Sequence, residues 1–383
     1  MNIIDTFDSI HVWRDPDLIR QKRLKMSENP VAFFRWSNHL FYQYMMEHLD
    51  VQSPWWRVCG DLHVENFGTF RWLDNQVYFD INDFDEANWW QIHRDLTRLM
   101  TSIAVVYHTS WAKPSAVSQI LHYTQRRYIS MLLGGKIGSL TSLDDNTSVQ
   151  KHIEHIVDHH DQHKFIDDIT DHDLLKRSDN FIDLLPSQYA LIEKTVEELL
   201  RHIRGTKIID IAKHIMGNSS LWLDRYVVLI KWVGKHHCHL LDIKQASLSV
   251  LSSYHTHITR TNQAQRIVSI QKMMQSNSPL LLSTIQVGDQ SFILKELQAV
   301  EDKIALDPHD KVSITHQLID EMVYALVRSQ LSSCDMGGSV TLIHLMDHAE
   351  KLQTDESIIS FVWEYINYNK QSYQQFCEEL FDI

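Results

Sequence analysis

Cys59-Gly60-Asp61-Leu62-His63-Val64-Glu65-Asn66-Phe67-Gly68, with Tyr78-Phe79-Asp80-Ile81-Asn82-Asp83-Phe84-Asp85 shortly after it, is the stretch on which the reading of this chain turns. Two loops dense in carboxylate and amide groups flank a short apolar run, Val77 to Phe79, that reads as a strand. Such groups are costly to hold together unless a cation or a phosphate-like ligand joins them.

The surrounding composition is that of an ordinary globular protein. The chain has 383 residues, 22% charged and 44% apolar, enough for a large core and more than one lobe. Its net charge of -13 and the lack of a long basic run argue against a nucleic-acid binder. Glycine (11) and proline (7) are scarce, which favours helix over tight turns. Cys59, Cys238, Cys334 and Cys377 are far apart and form no C-x-x-C, which fits a reducing compartment better than a disulfide framework. Neither a membrane-spanning stretch nor a secretory signal is visible, so the expected location is cytoplasmic, with secretion through other signals left open.

Periodicity divides the chain into a helical part over 1–205, a β-rich part over 206–300 and a helical part over 301–383. Pro30 to Met45 reads as helix, with Ser27 or Asn29 as its cap and Arg35 as its most notable polar residue. A long helix is expected from Trp89 to about Val106, and others over 114–134, 188–203 and 262–275. The polar stretch 140–150 reads as a loop. His155, His159 and His163 stand at i, i+4 and i+8 and would line one helix face, but a solvated helix is the plainer reading than a zinc site. Strands are expected from Ile208, from Arg225, over His239 to Lys244 and on both sides of Val287-Gly288-Asp289-Gln290. In Leu241-Asp242-Ile243-Lys244, Leu241 and Ile243 share one strand face and Asp242 and Lys244 the other.

Spacing then points to chemistry. Asp61 and Asn66 stand as D-x-x-x-x-N, the interval at which kinase catalytic loops carry the base and a magnesium ligand, and Asp80 follows Asn66 by fourteen residues. A strand, a small-residue loop at Met216 to Ser220, a strand and a third strand ending at Lys244 form an arrangement able to hold ATP phosphates.

These motifs, with Pro30 to Arg35, Asp80 to Ala87, Asp95-Leu96-Thr97-Arg98-Leu99, Lys244-Gln245-Ala246-Ser247 and Gln265-Arg266-Ile267-Val268, resemble the bacterial domain of unknown function 2252 family. Its members are similar to kinase-fold proteins of the aminoglycoside and choline phosphotransferase type, circularly permuted. The resemblance implies an α+β, helix-rich, bilobal kinase-like fold with a small β-rich lobe inserted between helical segments. It implies ATP and Mg as cofactors and an unknown small-molecule or protein hydroxyl as acceptor. By position, Asp61 would be the base; Asn66 and Asp80 would hold Mg, with Asp83 as alternative. Asp95 would brace the catalytic loop with His63 in support, Gly217, Asn218, Ser219 and Ser220 would cover phosphates, and Lys244 would bind them. Phe292 to Leu297 would receive adenine. No glutamate occurs between Asn262 and Gln275 to pair with Lys244; Ser269 and Gln271 stand there instead. A nucleotide-binding protein without catalysis is therefore the alternative, followed by nucleotidyl or glutamyl transfer. A two-metal phosphoesterase using Asp61, His63, Asp80 and Asp83 is third.

Overall fold

Asn29 caps the helix that starts at Pro30: its side chain accepts a bond from the Ala32 N–H (2.9 Å), and Pro30 occupies the first helical turn. In the computed structural model the described residues are 3–4, 16–71, 77–135, 151, 162–201, 205–215, 223–232, 238–254, 262–275, 277–279, 281–297, 306–332, 334 and 340–381. Among them the chain is mixed α+β, with helices at both ends of the sequence and its largest sheet between them.

Helices α1 (Pro16–Met26), α2 (Pro30–Trp36) and α3 (Asn38–His48) lead into β1 (Trp55–Val58). The hairpin of β2 (Phe67–Arg71) and β3 (Val77–Ile81) follows, then β4 (Asn88–Gln91). Trp89-Trp90-Gln91 is thus strand, not the start of a helix as its position suggested. Its aromatic residues pair antiparallel with β1, Trp89 opposite Arg57 and Trp90 opposite Trp56. Aromatics favour that half-buried pleated setting. Helix α4 (His93–Thr109) begins only after it, where the Ser53 hydroxyl accepts from the His93 N–H (3.3 Å). Helix α5 (Pro114–Gly134) occupies the expected span.

Helix α6 (Gln162–Ile169) and two short strands, β5 (Thr170–Asp171) and β6 (Leu174–Leu175), lead to β7 (Phe181–Ile182) and α7 (Pro186–Leu200). Next come β8 (Thr206–His214), β9 (Arg225–Trp232) and β10 (Cys238–Gln245), then α8 (Gln263–Met274), β11 (Ser283–Val287) and β12 (Gln290–Glu296). These build a six-stranded antiparallel sheet in the order β11-β12-β10-β9-β8-β7. Side-chain alternation divides its faces. Leu241 and Ile243 pack with Ile192, Val196 and Leu200 of α7, whereas Leu240 packs with Val227, Leu229 and Ile166 of α6. Helices α9 (Val312–Ser332), α10 (Leu342–Leu352) and α11 (Ser357–Phe381) close the chain.

The main core joins α3, α4, α5, α9 and α11 to the β2–β3 hairpin, and it also takes in Ile267, Ile270 and Met274 of α8. Helix α8 therefore belongs to two structures at once, following the lysine-bearing strand in sequence and packing against the hairpin's core in space. None of the helices described is long and apolar enough to cross a membrane. The loop at Gly217, Asn218, Ser219 and Ser220, the stretch 140–150, and His155 and His159 lie outside the described residues.

Candidate functional site

The loop after β1 is held by a carboxylate from α4. Asp95 is fully buried, and its two oxygens accept from the Cys59 N–H (2.7 Å) and the Gly60 N–H (3.0 Å). Burial pushes its carboxyl up to about 7, against the pull of those two N–H groups. Gly60 itself has φ +83°, and an added Cβ would meet the Glu86 carbonyl oxygen at 2.3 Å. Only glycine permits both this conformation and this close approach. The loop carrying Asp61 is thereby pressed onto the loop carrying Asp83 to Glu86.

Asp61 stands at the end of this brace with 24% of its side chain exposed. Its Oδ1 accepts from Arg98 Nε (3.0 Å) and lies 2.9 Å from Arg98 Nη2. Arg98, one helical turn beyond Asp95, is buried between the Phe34 and Phe41 rings and also donates to the Phe34 carbonyl (3.1 Å). Burial raises the Asp61 carboxyl, Asp83 raises it further, and Arg98 and Arg35 oppose them. His63 Nε2 is 3.8 Å from Asp61 Oδ2, while its Nδ1 accepts from the Glu65 N–H (3.2 Å) and caps the following turn. Arg35 reaches the same rim and pairs with Glu65 at 2.5 Å.

Asn66 fastens the two loops together. Its amide nitrogen donates to the Asp61 carbonyl (3.0 Å) and the Asp83 carbonyl (3.1 Å), and its Oδ1 accepts from the Asp83 N–H (2.7 Å). Asp83 Oδ1 accepts in turn from the Asp85 N–H (3.1 Å). Burial raises the Asp85 carboxyl and the neighbouring Asp83 adds to it. Glu86 is pushed up to about 7 chiefly by burial, although it accepts from the Val250 N–H (2.6 Å).

Lys244 completes the arrangement from the large sheet, its ammonium forming an ion pair with the Asp85 carboxylate. Burial alone would lower that ammonium; Asp85 and Asp83 outweigh it and raise it. Across the sheet, Lys244 is in register with Arg225, whose guanidinium donates to both carboxylate oxygens of the buried Asp242 (2.5 and 2.7 Å). Burial works against that carboxylate, yet Arg225 holds it below the usual range. His214, where β8 runs toward residues 216–222, keeps a buried Nδ1 with no partner among the described residues. Burial lowers it to about 4, so it is neutral.

Asp61, His63, Asn66, Asp83, Asp95 and Lys244 therefore share one neighbourhood. Asp80 does not join them. It is fully buried at the end of β3, where Oδ1 accepts from the N–H of the next residue, Ile81 (2.8 Å), and Oδ2 pairs at 2.5 Å with Arg328 of α9. Here Asp80 is turned to that internal ion pair rather than to the Asp61 loop, and Asp83 is the acid whose field reaches both Asp61 and Asp85. Among the described residues no group of three or more His, Cys, Asp or Glu is arranged to hold a metal by itself.

Three contributors lie inside the sequence markers without a role of their own there. Arg98 stands three residues after Asp95, on the same helix face. Asp85 was hidden in a run of acids. Arg266 was visible as part of a marker without a task; it donates to the Ala87 carbonyl and, at 3.0 Å each, to those of Asp85 and Ser247.

No curated protein and no solved structure matches this chain. A family profile described as an uncharacterized protein conserved in bacteria, the domain of unknown function 2252, matches residues 14–379. With nearly its whole length matched, the chain belongs to that family.

Proposed function

We propose that this protein is an ATP- and Mg-dependent phosphotransferase of kinase-like, circularly permuted architecture, acting on a small-molecule or protein hydroxyl. The observation that carries the reading is the ion pair from Lys244 to Asp85. It joins a sheet-borne lysine to an acid loop about 160 residues earlier in the chain, with Asp61 on the adjoining loop. The order of elements supports it as well: two strands on either side of residues 216–222, a third strand carrying Lys244 next to its last position, then helix α8.

The residues present fit the implied groups. Mg is usually held by one or two carboxylates together with substrate phosphates rather than by an all-protein cage. Asp83 and the Asn66 amide oxygen supply that donor set. Lys244 would bind phosphate oxygens, and the unpartnered His214 Nδ1 gives a further polar group on that side of the sheet. Bound Mg would neutralise charge on the transferring phosphoryl group. Asp61, partly open to solvent and with Oδ1 held by Arg98, would accept the acceptor's hydroxyl proton on Oδ2. Arg98 fixes the direction of that carboxylate, and Asp95 fixes the loop beneath it.

A phosphoesterase with two metals is less favoured because Asp80, one of its four ligands, is committed to Arg328. The alternative of nucleotide binding without turnover is separated by Asp61→Asn. Under the transferase reading this variant binds a non-hydrolysable ATP analogue as the parent does and loses ADP production in the presence of acceptor extracts. Failure of the parent to bind the analogue with Mg overturns the reading.

A further inference from the structure

We propose that Asp85 is the positioning partner of Lys244, doing for this chain what a glutamate on the following helix does in kinases, and that Arg266 holds Asp85 in place. The inference rests on the phosphotransferase reading for its purpose, but its geometry stands separately. Kinases require the phosphate-binding lysine to be oriented by a helix glutamate. Helix α8 carries no carboxylate between Gln263 and Met274. Lys244 is nonetheless paired, and its partner comes from the acid loop.

The helix retains an influence by another route. Arg266, 5% exposed on α8, gathers three backbone carbonyls with its guanidinium: those of Asp85 and Ala87 on the acid loop and that of Ser247, three residues after Lys244. Its Nε donates to Gln263 (2.9 Å), which fixes the fork. A second tie runs from Gln275, just past the end of α8, whose amide donates to the Ile81 carbonyl (2.7 Å) at the end of β3. Helix α8 thus holds the acid loop by its backbone, and Asp85 passes that position to Lys244. Because Asp83 lies on the same loop, the candidate metal ligand and the phosphate lysine are set by one clamp rather than by separate ones. The charges facing the Lys244 ammonium are Asp85 and Asp83, with Arg225 opposed.

The test reads Lys244 directly, without nucleotide. The intact protein is treated with acetic anhydride across a pH series, and acetylation of Lys244 is measured by peptide mass spectrometry against the exposed Lys113 and Lys164. Parent Lys244 is expected to need a higher pH than these two. Asp85→Asn should raise its reactivity about tenfold at a given pH, the equivalent of one pKa unit. Asp85→Glu should restore most of the protection. Arg266→Gln, which leaves both charges of the pair in place, should give an intermediate rise and so covers the case in which Asp85→Asn does not fold. A Lys244 profile in the parent matching that of Lys113, or one unchanged in both Asp85→Asn and Arg266→Gln, overturns the proposal. An analogue titration on the same samples keeps the two readings apart. Parent protein that fails to bind nucleotide sinks the phosphotransferase reading and leaves the acetylation result to decide this one.

Discussion

Replacing Asp80 by Asn separates the two acids that the sequence could not tell apart. Asp80 and Arg328 are both within 1% of complete burial, and their charged atoms are 2.5 Å apart. Removing one partner leaves the other as an uncompensated charge in the core, which costs about 3–5 kcal/mol. For a chain of this size that corresponds to a fall in Tm of roughly 6–10 °C, taking about 2 °C per kcal/mol. Urea unfolding followed by tryptophan fluorescence, with calorimetry beside it, measures the loss. The double variant Asp80→Asn/Arg328→Gln should recover part of it, because both charges are then gone and the pair's coupling appears as non-additivity. Mg-dependent binding of an ATP analogue should survive in Asp80→Asn wherever the protein is folded. If Asp80 were instead an open metal ligand, the same change would alter stability by no more than about 0.5 kcal/mol. Unchanged stability together with lost Mg dependence would refute the internal ion-pair assignment.

Other perturbations follow from the same geometry. Gly60→Ala forces a side chain into positive φ and onto the Glu86 carbonyl; a destabilisation of at least about 2 kcal/mol is expected in urea titrations, since the conformational penalty alone is about 1–2 kcal/mol. Asp95→Asn leaves one of the Cys59 and Gly60 N–H groups without its acceptor. It should cost about 1–3 kcal/mol by the same measurement and reduce turnover more than nucleotide affinity. His39, His214 and His348 are lowered chiefly by burial, to about 3, 4 and 4 from an ordinary 6.5. Each is neutral when folded, so its contribution to stability is full above pH 6.5 and lost as pH falls toward the folded value. For His348 this is ~2 kcal/mol between pH 8 and pH 5. His348→Gln should therefore flatten the fall of the urea midpoint with acid, and a slope equal to the parent's contradicts the assignment.

Local signals suffice where local physics decides. Pro114–Gly134 and Gln263–Met274 announce themselves by period and by their starts, the latter with Asn262 accepting from the Gln265 N–H (3.1 Å). The hairpin of β11 and β12 follows from Gly288, which adopts φ +60° in its turn. Where the competing partner was distant, the sequence was silent. Trp89 and Trp90 fit a helix as readily as a strand until β1 pairs with them. All five residues of β3 are buried, so alternation offered no polar face by which to judge Asp80. Its partner lies about 250 residues later on α9. The loop pair around Asp61 was legible because its carboxylates and amide sit within one short stretch. The pairing of Lys244 with Asp85 was not, since it depends on how the sheet docks against that stretch. The same reasoning explains why α6 and α7 gave no sign that they cover the two faces of the sheet.

The most direct measurement is a calorimetric titration of the intact protein with a non-hydrolysable ATP analogue, with and without Mg, repeated for Lys244→Ala and Asp83→Ala. One joint site predicts that Mg strengthens binding in the parent, that Lys244→Ala weakens binding in both conditions, and that Asp83→Ala removes the Mg dependence. Analogue binding unaffected by Mg and by both substitutions contradicts it.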